Sequence, residues 1–207
     1  MNVAVLVQHH PERAALIEPL LRRLPRSAIV IPDPDPGSAV RSALRTYRAC
    51  LEAIPERATH ALVIQDDAWP CDRFPSRLRA AVAEHPDALL ALFMPGSGAH
   101  HGAVTRAAKQ GLPWTRVPPT WTPTVALVWT ADRARQFLTW LDDNRYDPHN
   151  RHRGDDGPVG KFVARNRLRV MAPVPSLVQH PDVVPSLIGR RHAAGRNRAR
   201  VASLFVG

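Results

Sequence analysis

The sequence predicts an α/β fold: one domain with a mostly parallel central sheet flanked by helices. Three observations carry that expectation. Apolar runs of strand length recur at 3–7, 28–31, 60–65, 88–94, 125–130 and 169–173. Helical patterns of apolar residues separate most of them, as expected of strands joined by crossover helices. The third run, His60-Ala61-Leu62-Val63-Ile64-Gln65, ends abruptly in Asp66-Asp67. Open sheets of this class bind ligands at the carboxyl ends of their strands.

Taken in order, residues 3–7 read as a buried first strand, followed by His9-His10-Pro11. A stripe at Leu16, Ile17, Leu20, Leu21 and Leu24 marks a helix, and Pro19 within it predicts a late start or a kink. The second strand, 28–31, ends in Pro32-Asp33-Pro34-Asp35-Pro36-Gly37. This is a rigid turn, placed where the base or ribose of a nucleotide would be read, with Asp33 as the candidate. Ser38 is the expected N-cap of the next helix, whose buried face is Val40, Leu44, Tyr47, Leu51 and Ile54. Arg41, Arg45 and Arg48 run beside that face. They form either a solvated stripe or a clamp on a diphosphate, whose oxygens guanidinium groups fit in pairs.

An amphipathic helix over 73–84 follows the acid pair. After the strand at 88–94, the Gly-rich segment 95–102 lacks the spacing and the Lys of a P-loop. Residues 103–123 read as an irregular loop walled by Trp114 and Trp121. A strand at 125–130 and a helix at 131–141 come next. The polar segment 142–158 reads as a solvated loop, its His149 and His152 included. A helix through Ala164, a strand at 169–173 and a short apolar run ending at His180 complete the pattern.

The chemistry resides in the acids. Adjacent carboxylates repel each other, and a divalent cation is a common reason to tolerate them. Mg²⁺ and Mn²⁺ prefer oxygen ligands and bridge a carboxylate to a diphosphate. The competing role for Asp66 and Asp67 is to cap the following turn. Asp155-Asp156 precedes Gly157-Pro158, where it either caps a helix or presents a base to a substrate hydroxyl. His180 is either a structural imidazole or a partner of the acids.

Composition bounds the rest. A content of 44% hydrophobic and 22% charged residues suits a domain with a substantial core. No run approaches the roughly 18 apolar residues of a membrane span. The N-terminus reads as a strand, with no basic leader. Two cysteines are too few for a disulfide framework, so the expected compartment is the cytoplasm. The net charge of +10 points to a polyanionic partner. Nearly all of it is Arg in an Ala- and Pro-rich chain, as a GC-rich coding sequence would also produce.

Together these pieces resemble a GT-A-fold glycosyltransferase, Rossmann-like, over nearly the whole chain. The domain would span 1–189, with a basic tail at 190–207. Gln65-Asp66-Asp67-Ala68 is similar to that family's DxD element, with Gln65 in place of the first acid. The resemblance implies Asp67 as the primary metal ligand and Asp66 as a weaker one on the donor side. Gly154-Asp155-Asp156 is similar to the acidic element that supplies the base in inverting members, without distinguishing the two aspartates. The run ending at His180, followed by Pro185-Ser186-Leu187-Ile188-Gly189, resembles the segment whose His completes the metal site. The order of the three elements is the family's. The implied cofactors are Mn²⁺ or Mg²⁺ and a UDP- or GDP-sugar, with Asp33, Arg41, Arg45 and Asp66 on the donor.

The implied reaction moves a sugar from this nucleotide sugar to an acceptor hydroxyl. The charge, the Arg-rich segment 190–200 and the Trp114–Trp121 loop suit a hydroxylated base in DNA, as in phage DNA modification. A glycan or protein hydroxyl is the alternative. Two other classes compete. A nucleotidyltransferase would carry a Gly-rich loop with Lys after the first strand, where this chain has Gln8-His9-His10-Pro11. A non-catalytic nucleic-acid-binding protein would use the acids as caps and bind in a steeply salt-dependent way.

Overall fold

The computed structural model describes residues 2–118, 121–147, 154–181 and 201–207. Its strands are β1 (Val3–His9), β2 (Ile29–Pro32), β3 (His60–Gln65), β4 (Trp69–Pro70), β5 (Leu89–Ala91), β6 (Trp114–Arg116), β7 (Ala126–Thr130), β8 (Val170–Pro173) and β9 (Val178–Gln179). Its helices are α1 (Ala14–Leu21), α2 (Ala43–Glu52), α3 (Phe74–Glu84), α4 (Gly98–Lys109), α5 (Ala131–Asp143) and α6 (Asp156–Arg165). A single 3-10 turn, Pro11–Arg13, joins β1 to α1.

Seven strands form one sheet in the order β2-β1-β3-β7-β5-β8-β6, and β4 pairs with β9 in a separate ribbon. Strands β2, β1, β3, β5 and β8 point the same way, while β7 and the edge strand β6 are reversed. The expected mostly parallel sheet is therefore present, with a reversed strand inside it. That reversal matters for the site. It delivers the segment leading into β7, residues 121–125, to the edge where β1 and β3 end, and Gln65 N donates to Val125 O there.

The period of two in the strands sorts the core into two layers. Leu6, Ala61, Val63, Leu127 and Trp129 face α2, α5 and α6 through Tyr47, Leu51, Phe137 and Phe162. Val5, Val7, Leu62, Ile64 and Val128 face α1 and α3 through Leu20, Phe74, Leu78 and Val82. The buried Trp129 indole donates to Tyr47 Oη at 2.7 Å, so α2 is tied to the sheet by a polar as well as an apolar contact.

Several local expectations are corrected. α1 does not start late: it begins at Ala14 and holds Pro19 in its second turn. The cap of α2 is Ser42, whose Oγ accepts from Arg45 N, and Ser38 lies in the loop before it. Val40 and Arg41 therefore precede the helix. Residues 98–109, most of which read as irregular loop, form α4, and 114–116 form a strand. The inner face of α4 is His100 with the small residues Ala103, Val104 and Ala107, so no large apolar stripe announced it.

Residues 201–207, expected as part of a basic tail, return to the domain. Ser203 N donates to Met94 O, and Ala202, Phe205 and Val206 pack on the α1–α3 side of the core. The Arg-rich segment 190–200, with His149 and His152, lies outside the described residues. Cys50 and Cys71 are buried free thiols. Among the described residues no helix is long and apolar enough to cross a membrane.

Candidate active site

The chain leaves β1 to one side, through α1 to β2, and then crosses back through α2 to β3. The connections that follow β1 and β3 therefore leave to opposite sides and open a crevice at the paired strand ends, the usual ligand position in an open sheet. A cavity of about 370 Å³ lies there. Gln8, His9 and His10 line it from β1, and Gln65, Asp66 and Asp67 line it from β3. Asp33, Arg41, Asp155, Asp156 and His180 reach it from three other segments. Fold and cavity together define an open α/β protein with a cavity lined by polar side chains at its switch point.

Asp66 and Asp67 are buried and do not act alike. Asp66 Oδ2 accepts from His10 N at 2.8 Å and lies 3.1 Å from His9 Nδ1. It is tied back to the end of β1. Asp67 Oδ2 lies 3.1 Å from His180 Nε2. The ribbon explains how a residue so distant in sequence arrives there. β4 follows the acid pair, pairs with β9, and so sets His180 beside Asp67. Gln179 Oε1 then accepts from both His180 N and Ala202 N, which couples His180 to the returning C-terminal residues.

Between the two acids lies a residue that the sequence reading did not single out. Arg13 Nη1 is 2.9 Å from Asp66 Oδ1 and 2.8 Å from Asp67 Oδ2. No motif marks it: it ends the short 3-10 turn after β1, and only the position of β1 beside β3 brings it to the acids.

Arg45 is placed away from the cavity wall. Its Nε and Nη2 grip both oxygens of Asp33 at 2.7 and 2.8 Å, and Nη1 and Nη2 also donate to the carbonyls of Val40 and Asp35. Burial works against ionisation of Asp33, but the Arg45 bonds and the Asp35 amide outweigh it and hold the carboxyl below its usual range. The expected role of Arg45 as a diphosphate clamp is thus replaced by a structural one: its donors are committed to the β2–α2 loop. Arg41 does line the cavity and makes two bonds to Glu12 at its mouth. Arg48 bonds Glu52 and Asp142 on the surface.

Asp155 and Asp156 part company at the start of α6. Asp155 is 4% exposed, and its Oδ1 accepts from the Thr124 hydroxyl at 2.9 Å. It makes no side-chain capping bond. Its Oδ2, like Gln8 Oε1, is buried with no hydrogen-bond partner among the described residues. Burial first, and the Asp156 charge second, push the Asp155 carboxyl up to about 6. Asp156 is exposed, and its Oδ1 accepts from Gly157 N.

The donor set allows one test of the implied metal. At bonds of about 2.1 Å, adjacent positions of an octahedron lie about 3 Å apart. Asp67 Oδ2 and His180 Nε2 have that spacing. Among the described residues no group of three or more His, Cys, Asp or Glu side chains is arranged around one point. Asp67 and His180 would thus offer a divalent cation two neighbouring protein ligands.

A second cavity, about 850 Å³, lies between α4, β6 and α6. Arg106, Arg116, Arg167, Trp114 and Trp121 line it, with no acidic residue in its wall among the described residues. Trp121 lines both cavities.

No protein-family model matches the chain, and no curated protein matches it. Among solved structures, it is similar to mouse xyloside xylosyltransferase 1 in its apo form. Identity is 12%, the TM-score is 0.42, and 81% of this chain and 83% of that one are covered.

Proposed function

We propose that the protein is a glycosyltransferase that moves a sugar from a nucleoside diphosphate sugar, UDP- or GDP-linked, to an acceptor hydroxyl. The observation that carries this reading is the charge of the cavity. In a chain of net charge +10, five Asp and two Arg line it. Such a wall repels a bare diphosphate and accepts one that brings a divalent cation. Asp67 and His180 would hold Mn²⁺ or Mg²⁺, which when bound offsets the charge gathering on the departing diphosphate. Asp33 stands beside the site for ribose or base, held in place by Arg45. Arg41 reaches the phosphates from the α2 side.

Asp155 is the base. A carboxyl near 6 is mostly ionised at neutral pH and still takes a proton well. Its Oδ2 accepts the proton of the acceptor hydroxyl as that oxygen bonds to the anomeric carbon. The bond from that carbon to the diphosphate breaks with its electron pair on the nucleotide, which is the inverting course. Thr124 holds the other carboxylate oxygen and fixes the direction of the first.

For the acceptor we propose a hydroxylated base in DNA. Its support is the basic, aromatic cavity that shares Trp121 with the active site, where a strand would track the arginines and stack on tryptophan.

Calorimetry across a panel of sugar nucleotides, with Mn²⁺ and with chelator, tests the donor. Binding that needs metal and disappears in Asp67→Ala is the expected result. Equal affinity with chelator would remove the metal. No affinity for any sugar nucleotide would remove the transferase.

A further inference from the structure

We propose that Arg13 is the resident cation of the acidic pair, and that a divalent metal enters only as its guanidinium releases Asp67. The inference rests on the metal-dependent reading above.

Arg13 Nη1 bonds Asp66 Oδ1 and Asp67 Oδ2 together, at 2.9 and 2.8 Å, and its side chain is 13% exposed. The Asp67 oxygen it holds is also the one 3.1 Å from His180 Nε2. A metal seated on Asp67 and His180 must bond that same oxygen. A guanidinium does not lose its proton in proteins, so it cannot make room by becoming neutral. Two positive centres on one buried oxygen repel strongly. One of them has to move.

The contacts say which one. Asp66 is held by His10 N and His9 as well, whereas the Asp67 oxygen is the one a metal needs, so the Nη1 that touches both acids keeps Asp66 and gives up Asp67. Arg13 lines the cavity, where the released Nη1–H is available to a diphosphate. The diphosphate replaces the carboxylate that Arg13 gives up. Metal and diphosphate therefore help each other bind, through a side chain rather than through the metal–phosphate bond only. Such coupling is reciprocal: whatever factor the nucleotide adds to metal affinity, the metal adds to nucleotide affinity.

The test uses the full chain and Mn²⁺, titrated by the loss of its free-ion EPR signal, with and without UDP. Arg13→Gln removes the resident charge. It should bind Mn²⁺ alone about tenfold more tightly than wild type, the scale on which residues around a metal site act. The gain in Mn²⁺ affinity on adding UDP should shrink by a similar factor. Because Arg13→Gln leaves two acids uncompensated, Arg13→Gln/Asp66→Asn is compared with Asp66→Asn in parallel, and the same direction is expected. Unchanged or weaker Mn²⁺ binding in both comparisons would overturn the proposal. Asp67→Asn separates the two layers of the argument. If it loses Mn²⁺ while Arg13→Gln shows no gain, the metal site stands and the role of Arg13 falls. If wild type takes up no Mn²⁺ even with UDP, the metal reading fails and takes this inference with it.

Discussion

Arg45 holds Asp33 by two bonds of 2.7 and 2.8 Å, and both side chains are almost entirely buried. The pair closes the β2–α2 loop from within, since the same guanidinium also reaches the carbonyls of Val40 and Asp35.

Arg45→Ala is therefore expected to act on stability first. It strands a buried carboxylate, which costs about 3–5 kcal/mol. Denaturant unfolding should show that loss with or without nucleotide. The double change Arg45→Met/Asp33→Asn should recover much of it, because the stranded charge is gone. A wild-type unfolding midpoint in Arg45→Ala would return this residue to the donor.

Asp155→Asn is expected to abolish turnover while leaving donor affinity in place. Its stability signature is distinctive. The folded carboxyl is raised to about 6 by burial and by Asp156, whereas an unfolded Asp titrates near 3.9. Between those values the folded state binds more protons, so this group costs stability as pH rises, fully so above about 6. The Asn variant escapes that cost. It should be more stable than wild type above about pH 6, by up to about 3 kcal/mol, with the advantage fading towards pH 4. In wild type, kcat/KM should rise tenfold per pH unit below about 6 and level above it. Asp156→Asn is the control: loss of turnover there, and not in Asp155→Asn, would exchange the two roles.

Much of this architecture is legible in the sequence, and the reasons differ by element. β1 and β3 are read correctly because a strand buried on both faces is apolar without interruption. Asp67 and His180 are noticed because each ends such a run. What the sequence does not carry is pairing. The reversal of β7 leaves its composition unchanged, so nothing in residues 125–130 reveals direction. The arginines of 41–48 look alike as a stripe, yet each finds a different acid, Glu12, Asp33 or Asp142. Arg13 is invisible for the same reason: its partners are more than fifty positions away, and only the adjacency of β1 and β3 joins them.

Arg41→Ala should separate cleanly from Arg45→Ala. Its pair with Glu12 is half exposed, so solvent screening should leave the unfolding midpoint close to wild type. If Arg41 contacts the diphosphate, donor affinity should fall by about 1.5–3 kcal/mol. Glu12→Gln offers the opposite sign, because it frees the guanidinium from a competing carboxylate. Calorimetric donor binding that is unmoved in both variants would place Arg41 in the solvent.

Gln179 is a positioning residue on this geometry. Its Oε1 accepts from His180 N at 2.9 Å and from Ala202 N at 2.6 Å. Gln179→Ala should weaken Mn²⁺ affinity in the presence of nucleotide by about tenfold, while nucleotide binding under chelator is unchanged. Loss in both conditions would mean that the returning C-terminal residues support the whole cavity rather than the imidazole.

The acceptor is tested at the second cavity. Arg106, Arg116 and Arg167 approach it from α4, β6 and the end of α6, and none of them makes an ion pair among the described residues. If a strand of DNA runs there, each arginine neutralises a phosphate, and each Arg→Ala change should lower the slope of log affinity against log salt by about one. Fluorescence anisotropy with labelled oligonucleotides reads this directly. Sugar-nucleotide affinity should stay at the wild-type value, because the arginines lie outside the donor cavity. Trp121→Ala is expected to reduce transfer more than binding, since Trp121 lines both cavities and would hold the reacting nucleotide at their junction. Radiolabelled donor, offered with hydroxymethylated DNA, plain DNA and a panel of glycans, then names the product. Label on hydroxymethylated DNA alone, falling as salt rises, is the expected outcome. Label on a glycan, at rates indifferent to salt and to all three arginines, would assign the second cavity to a neutral acceptor and end the nucleic-acid reading.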